Sequence, residues 1–434
     1  MESNMMAESN SSGDAVTSFE QSVSETAWSL VKEESQADTE AEMEAISGGE
    51  KEIRYDYDIY NTFSDKQKQV DEKEEISSYT RVTLSDFSDE ALDLFSSIDL
   101  NGNGFLSTSE LAESVEQRFC GRDAQVIAGL YVARAQLSYL SNDEFGIEDD
   151  GITRGDLIAF AHLESSESES ERSDVSLSVD FGLRNTYRAQ ESGGEHLYID
   201  PLNAVNSITV ESINQGMIGD CYLLSTFAAI ASTQPELIER MIWDRGDGTY
   251  TVTFPGDPHN PITIDAPTEA ELGIYNNPDS SGIWASVLEK AYGKYCRENF
   301  FHRSILNLDG GNTTSEGAGG GELLHGKVLN FVTGRETDTD FIMFSSSDSI
   351  RAKLIDAFSM GHAVTTGIAN NYFNIRSVGG FRVAHSYAIL GFDADGAGGG
   401  TITVFDPIRG SDRTVELSLN EFMDNFSTIT FSNG

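Results

Sequence analysis

The sequence predicts an α+β protein in which a small all-α unit precedes a larger mixed core. Three observations carry that expectation. Phe87, Ala91, Leu94, Phe95 and Ile98 recur at helical spacing. A second apolar, helix-forming run starts abruptly at Cys221 and continues to Ala231. Two β-rich runs, Phe381–Phe392 and Thr401–Pro407, follow near the end of the chain.

At 434 residues the chain has room for two or three domains. Its net charge is −44, which argues against nucleic acid as a partner. The imbalance is uneven. Residues 1–195 hold 43 acidic against 14 basic residues, so the first part is the one suited to bind cations or to stay unfolded. No apolar run approaches the ~18 residues of a membrane span, and no cationic, apolar secretory signal stands at the start. Three cysteines, Cys120, Cys221 and Cys296, do not make a disulfide framework.

Residues 1–80 are polar, acidic and rich in Ser and Glu, a composition expected to remain disordered. Within them, Glu42 to Gly49 follows a short amphipathic stretch, Phe19 to Val31, and ends in Gly48-Gly49. It resembles the double-glycine leader of bacterial peptides exported by peptidase-bearing ABC transporters. The resemblance implies cleavage before Glu50 and export; a cytoplasmic chain with an acidic tail is the alternative.

Residues 81–163 form the helical unit. After the Phe87–Ile98 run comes Asp99-Leu100-Asn101-Gly102-Asn103-Gly104-Phe105-Leu106-Ser107-Thr108-Ser109-Glu110, which matches an EF-hand calcium loop. Asp99, Asn101 and Asn103 offer side-chain oxygens and Phe105 its carbonyl. Ser107 binds directly or through water, and Glu110 closes the site with both oxygens. Gly104 makes the sharp turn. Two carboxylates in the loop predict modest affinity. Such loops pair through their short strands, and a partner is readable. Its first helix runs through Val126, Leu130, Ala133, Leu137 and Leu140, and its loop lies around Asp143 to Asp156. The spacing from first ligand to glycine does not fit twelve residues, so this second hand is degenerate and pairs structurally. Residues 164–194, opening on Glu164-Ser165-Ser166-Glu167-Ser168-Glu169, read as an extended, mobile Ser/Glu-rich linker.

Residues 195–434 carry the chemistry. In Gln215-Gly216-Met217-Ile218-Gly219-Asp220-Cys221 one cysteine opens a helix, and a glutamine precedes it across a glycine-containing turn. A thiol is nucleophilic only as thiolate, which the positive end of a helix favours. A glutamine amide can donate to the oxyanion formed in acyl transfer. The base to match is His385, on the strand Phe381–Phe392, with Asp406 at the end of the neighbouring strand as the acceptor that fixes its tautomer. His362, in Met360-Gly361-His362-Ala363-Val364, is the rival base but lacks a comparable polar partner.

The segment around Cys221 resembles the active-site signature of calpain-type cysteine proteases, a branch of the papain-like enzymes. Trp284 to Lys294 is similar to the family's helix packed under the catalytic cysteine. Gly317 to Gly321, followed by Val328 to Gly334, resembles the loop and helix before its second lobe. Leu417 to Phe431 resembles its closing helix and strand. The resemblance covers roughly residues 195–434. It implies a papain-like core of two lobes: a helical one with Gln215 and Cys221, and a β-rich one with His385 and Asp406. It also implies a calcium-dependent endopeptidase acting on protein substrates. One departure stands out. The family has asparagine before Pro-Trp-Gly, whereas this chain has Asp406-Pro407-Ile408-Arg409-Gly410. Aspartate accepts the imidazole N–H equally well, but the missing tryptophan leaves it less shielded. Two other classes fit the same residues: a noncatalytic calcium-binding protein on a protease scaffold, and an acyl-transfer enzyme using the same triad.

Overall fold

The computed structural model describes residues 79–141, 151–166, 174–192, 196–278, 281–298, 325–368, 377–378, 380–408 and 413–433. The Gly48-Gly49 leader, most of the second loop and the Gly317–Gly321 stretch lie outside them.

The first helix, α1 (Leu84–Ile98), is capped by Thr83, whose hydroxyl accepts the Asp86 N–H. Phe87, Ala91, Phe95 and Ile98 form its buried stripe. Burying each large apolar side chain contributes about 1.5–3 kcal/mol. The loop from Asp99 passes through a two-residue strand, β1 (Phe105–Leu106), into α2 (Thr108–Glu116). Ser107 and Glu110 make a reciprocal capping box at the start of α2. α3 (Arg122–Leu137) follows, then β2 (Ile152–Thr153) and α4 (Arg154–Ser166). β1 and β2 pair antiparallel, Phe105 opposite Thr153 and Leu106 opposite Ile152. Two helix–loop–helix pieces are thus joined through their loops.

The expectation of an extended linker over 164–194 is corrected for much of its length. α4 continues to Ser166, and Asp174–Glu191 is an 18-residue helix, α5. Its apolar residues Val175, Val179 and Leu183 are buried in the same core as Leu130 of α3. Close approach explains the packing. A Cβ on Gly182 would lie 2.7 Å from the Ala128 carbonyl oxygen, so only glycine lets α5 rest on the α3 backbone. The Ser/Glu repeat draws attention away from the apolar positions that follow it.

The lobe that follows is built on α6 (Cys221–Thr233), whose residues Cys221 to Ala231 are all buried. α7 (Pro235–Met241) leads to a three-stranded antiparallel sheet of β3 (Ile242–Asp244), β4 (Thr249–Val252) and β5 (Ile262–Asp265). α8 (Glu269–Ile274) and α9 (Trp284–Glu298) complete it, with α10 (His325–Thr333) leading out. Trp284 is fully buried and donates its indole N–H to the Ser207 carbonyl at 3.0 Å. The core of this lobe is continuous with that of the helix–loop–helix unit.

The second lobe is a six-stranded antiparallel sheet. Its strands are β6 (Thr337–Phe341), β7 (Val364–Ile368), β10 (His385–Asp393), β11 (Thr401–Phe405), β12 (Thr414–Ser418) and β13 (Thr428–Ser432). Their spatial order is β12-β11-β10-β7-β13-β6. Helices α11 (Ser347–Ser359) and α12 (Leu419–Asn425) pack on it around a separate apolar core. The single strand expected over Phe381–Phe392 is two. β9 (Phe381–Arg382), paired with β8 (Ser377–Val378), turns at Ala384, which has φ 53°, before β10 begins at His385. Helix α6 of the first lobe packs against β10 and β7, which brings Cys221 beside the sheet that carries His385. Among the described residues no helix is long and apolar enough to cross a membrane.

Candidate active site

Cys221 is the first residue of α6, at the positive end of a 13-residue helix. The apolar run behind it anchors that helix in the core. The Cys221 sulfur stands close enough to the His385 ring to act on its charge. On its other side His385 Nε2 lies 2.8 Å from Asp406 Oδ1, so with Nε2–H donating to the carboxylate, Nδ1 is left for the sulfur. The strand register explains the reach: Ala388 of β10 stands opposite Phe405 of β11, which sets Asp406 level with Tyr387, two residues along the same strand from His385.

Charge binds the pair together. Burial pulls the His385 imidazolium pKa down, but the Asp406 carboxylate and the Cys221 sulfur outweigh it and push the value up to about 10. Burial raises the Asp406 carboxyl, yet the His385 charge, its hydrogen bond, the Ile408 N–H and Arg382 together hold it below the usual carboxylate range. The arrangement suits a thiolate–imidazolium pair oriented by a carboxylate.

Asp406 is a quarter exposed and His385 is buried. Tyr387 meets the His385 ring edge-on, centroids 4.8 Å apart, backed by Phe381 and Phe426. The phenol oxygen of Tyr387 accepts the Arg382 N–H at 2.7 Å and donates to the Arg382 carbonyl at 3.1 Å. Arg382 Nε stands 4.0 Å from Asp406 Oδ2. An aromatic wall and a guanidinium thus flank a pair that the absent tryptophan had suggested would be open. Sequence reasoning missed both Tyr387 and Arg382, whose approach to the pair depends on the turn at Ala384 and on the tertiary fold.

Gln215 is pinned to the second lobe. Its N–H donates to the Pro407 carbonyl at 2.9 Å, and it forms a parallel bridge with Ile408. Its side-chain nitrogen donates to the Ile218 carbonyl at 2.7 Å, which uses one of two amide protons. Gly216 is sterically required: a Cβ there would sit 2.1 Å from the carbonyl oxygens of Ile274 and Tyr275. Arg413 reinforces the joint, donating to the carbonyls of Ile213 and Glu211 and to Asn214 Oδ1. His362 stands elsewhere. The charges that act on it are Arg335 and Asp356, and burial lowers its pKa.

The first loop lies apart from this site. Asp99 Oδ1 and Oδ2 accept the N–H groups of Asn103 (3.1 Å) and Gly104 (3.0 Å). Asn101 Oδ1 accepts from Asn103 N, and Asn103 Oδ1 from Phe105 N. Glu110 is buried; Oε1 accepts from Asn101 N at 3.2 Å and Oε2 from Ser107. Side-chain oxygens of Asp99, Asn101, Asn103 and Glu110 therefore bind the amides of the same short loop. They come from two carboxylates and two amides, and among the described residues no three His, Cys, Asp or Glu side chains gather as a metal group. In the second loop Asp156 is fully buried and accepts from the N–H and hydroxyl of both Ser141 and Thr153.

The fold and this geometry suit a cysteine-peptidase type of domain. Residues 193–402 match the calpain family cysteine protease model. The matched stretch, a little under half of the chain, includes Gln215, Cys221 and His385 and ends four residues short of Asp406. No curated protein matches the chain.

Proposed function

We propose that this protein is a calcium-dependent cysteine endopeptidase whose triad is Cys221, His385 and Asp406. The observation that carries the reading is the buried His385 ring, 2.8 Å from Asp406 and close enough to the helix-terminal Cys221 for the sulfur to act on its charge. The Cys221 thiolate attacks the peptide carbonyl carbon and forms a C–S bond. The carbonyl electrons move onto oxygen, held by the second Gln215 amide proton and the Cys221 N–H. His385 gives its proton to the leaving amine. Water, deprotonated by His385, then releases the acyl group and regenerates the thiolate.

Calcium binding at the first loop is part of the same proposal. Asp99, Asn101, Asn103, the Phe105 carbonyl, Ser107 and Glu110 are hard oxygen donors of the kind calcium takes. Their enclosure of one short loop and the pairing of Leu106 with Ile152 support an EF-hand pair with a degenerate second hand, in which Asp156 is already satisfied by Ser141 and Thr153. Bound calcium would supply positive charge that holds the ends of α1 and α2 together. The exit helix α2 offers a route to the protease domain. Thr268, the cap of α8, donates its hydroxyl to the Val115 carbonyl at 2.6 Å, and Glu269 Oε2 accepts from Gly121 N at 2.8 Å. At the other end of α8, the Ile274 carbonyl accepts the Met217 N–H at 2.7 Å, beside Gln215.

The test is hydrolysis of an unstructured protein by wild type and Cys221→Ala, with calcium or with chelator. Cleavage by wild type in calcium alone, and none by Cys221→Ala, is expected. Equal cleavage by both proteins ends the peptidase reading; equal wild-type rates in calcium and chelator end the calcium dependence. Incorporation of an added amine in place of water would reassign the same triad to acyl transfer.

A further inference from the structure

Directly before the nucleophile, Asp220 turns its side chain away from the role its position suggests. An aspartate at a helix N-cap ordinarily accepts a first-turn N–H. Asp220 caps α6 through its carbonyl alone, which accepts from Leu223 N at 2.8 Å and Leu224 N at 3.1 Å, and its carboxyl makes no capping bond. The carboxyl is enclosed in the core, where Glu289 of α9 is near enough for each to act on the other's charge. Asp220 is 0 % exposed and Glu289 1 %. Neither Asp220 oxygen, nor Glu289 Oε1, meets a donor from another residue. Among the described residues no cation is paired with them, and the neighbouring Lys290 is committed to Glu271 at 2.6 Å.

Two ionised carboxylates cannot face each other in such a place; desolvation and mutual repulsion both oppose it. One proton between them removes the conflict, turning two orphaned acceptors into a donor and an acceptor. We propose that Asp220 and Glu289 form a proton-sharing carboxyl pair that positions Cys221 against the Gln215 loop, and that loss of its proton disengages the nucleophile at alkaline pH. The inference rests on the peptidase reading for its effect on rate, but not for its effect on stability.

The hydrogen-bond chain shows what the pair holds. Glu289 Oε2 accepts the Asn276 N–H at 2.7 Å. Asn276 Oδ1 accepts the Asn214 N–H at 2.6 Å, and Asn276 Nδ2 donates to the Ser212 carbonyl at 3.0 Å. Asn214 precedes Gln215. The pair therefore links the residue before the nucleophile to the residue before the oxyanion amide, through the buried helix α9. The other titratable groups around it are Cys221 and Tyr222 on α6, Glu271 on α8, Tyr275 beyond it, and Tyr292 on α9. Burial keeps all three tyrosines protonated, and Glu271 is paired with Lys290. Burial raises the Asp220 pKa to about 7 and drives Glu289 well above the carboxylate range, Asp220 adding to the rise, so Glu289 carries the proton.

Glu289→Gln separates this role from simple packing. The glutamine amide donates permanently to Asp220 while its carbonyl still accepts from Asn276. Peptidase rate and thermal midpoint of the full chain are measured from pH 6 to 10 for wild type, Glu289→Gln, Asp220→Asn and Glu289→Ala. Glu289→Gln should keep the neutral rate within about threefold and lose less midpoint than wild type as pH rises. Its alkaline rate loss should shift upward by a pH unit or more. Asp220→Asn, whose amide donates to Glu289, should flatten the midpoint profile in the same way. Glu289→Ala should lose tenfold or more in rate at every pH. Midpoint profiles of Glu289→Gln and Asp220→Asn that parallel wild type overturn the proposal, as does failure of both to fold. If no variant, wild type included, hydrolyses protein, the peptidase reading has failed and the midpoint profiles alone decide the carboxyl pair.

Discussion

Asp406 Oδ1 accepts both His385 Nε2 at 2.8 Å and the Ile408 N–H at 2.9 Å. A neutral amide oxygen can accept both bonds, so Asp406→Asn should keep catalysis within about tenfold, the loss expected when a charge-assisted bond becomes neutral. What it cannot keep is the charge that raises His385 to about 10, so the alkaline end of the rate profile should move down. A rate–pH profile of the variant checks both points; inactivity with the fold intact would remove Asp406 from an orienting role. Gln215 has one amide proton on Ile218, and the proposed mechanism uses the second for the oxyanion. Gln215→Ala should cost roughly 10²–10³ in kcat, the value of one oxyanion donor, and an unchanged kcat would take it out of the site. Ala384 holds φ 53° one residue before His385. A left-handed L-residue costs roughly 1–2 kcal/mol, against about 0.4–1 kcal/mol of unfolded-state entropy added by glycine. Ala384→Gly should therefore raise stability by up to about 1 kcal/mol in denaturant unfolding; a fall would mean that the turn is not strained.

At the scale of elements, the loop between α1 and α2 is the one whose removal of charge reads out cleanly. Glu110 lies between Asn101 N and Ser107 and would close the proposed calcium donor set. Glu110→Gln should weaken calcium binding by tenfold or more in calorimetric titration of the full chain, while the helix cap it makes with Ser107 is partly retained. Absence of binding heat in wild type at millimolar calcium would sink the loop assignment. Elements whose residues alternate or repeat strongly were legible in the sequence: α1, the loop, α6 from Cys221, and the β10–β11 pair. The short helices and the hinge before β10 were not. The break there comes from a backbone conformation at Ala384, which an alanine does not announce. Helix α5 was hidden because its stripe of Val175, Val179 and Leu183 follows a Ser/Glu run that looks unfolded by composition. Cys221, His385 and Asp406 could be paired from residue type and strand order. Arg382, Tyr387, Asn276 and the Asp220–Glu289 contact could not, because each depends on which elements the tertiary fold sets side by side.

For the whole molecule, three ionisations and the net charge act together on stability. Asp406 has a lowered pKa when folded, so its contribution is present above the ordinary value near 3.9 and is lost only in acid. His385 is raised from 6.5 to about 10, so its contribution is complete below pH 6.5 and is lost as pH climbs to about 10. Asp220 is raised from 3.8 to about 7, so its contribution too drains away as pH rises toward neutrality. The net charge of −44 adds self-repulsion that grows with pH and is screened by salt. All the alkaline terms have one sign. Scanned in chelator from pH 5 to 10, the thermal midpoint should be highest at the acid end and fall steadily, with added salt recovering part of the loss. His385→Ala should flatten the profile between about pH 6.5 and 10 and leave the lower part sloping. A midpoint that rises from pH 6 to 9 would contradict the charge assignments at both the His385–Asp406 pair and the buried carboxyls.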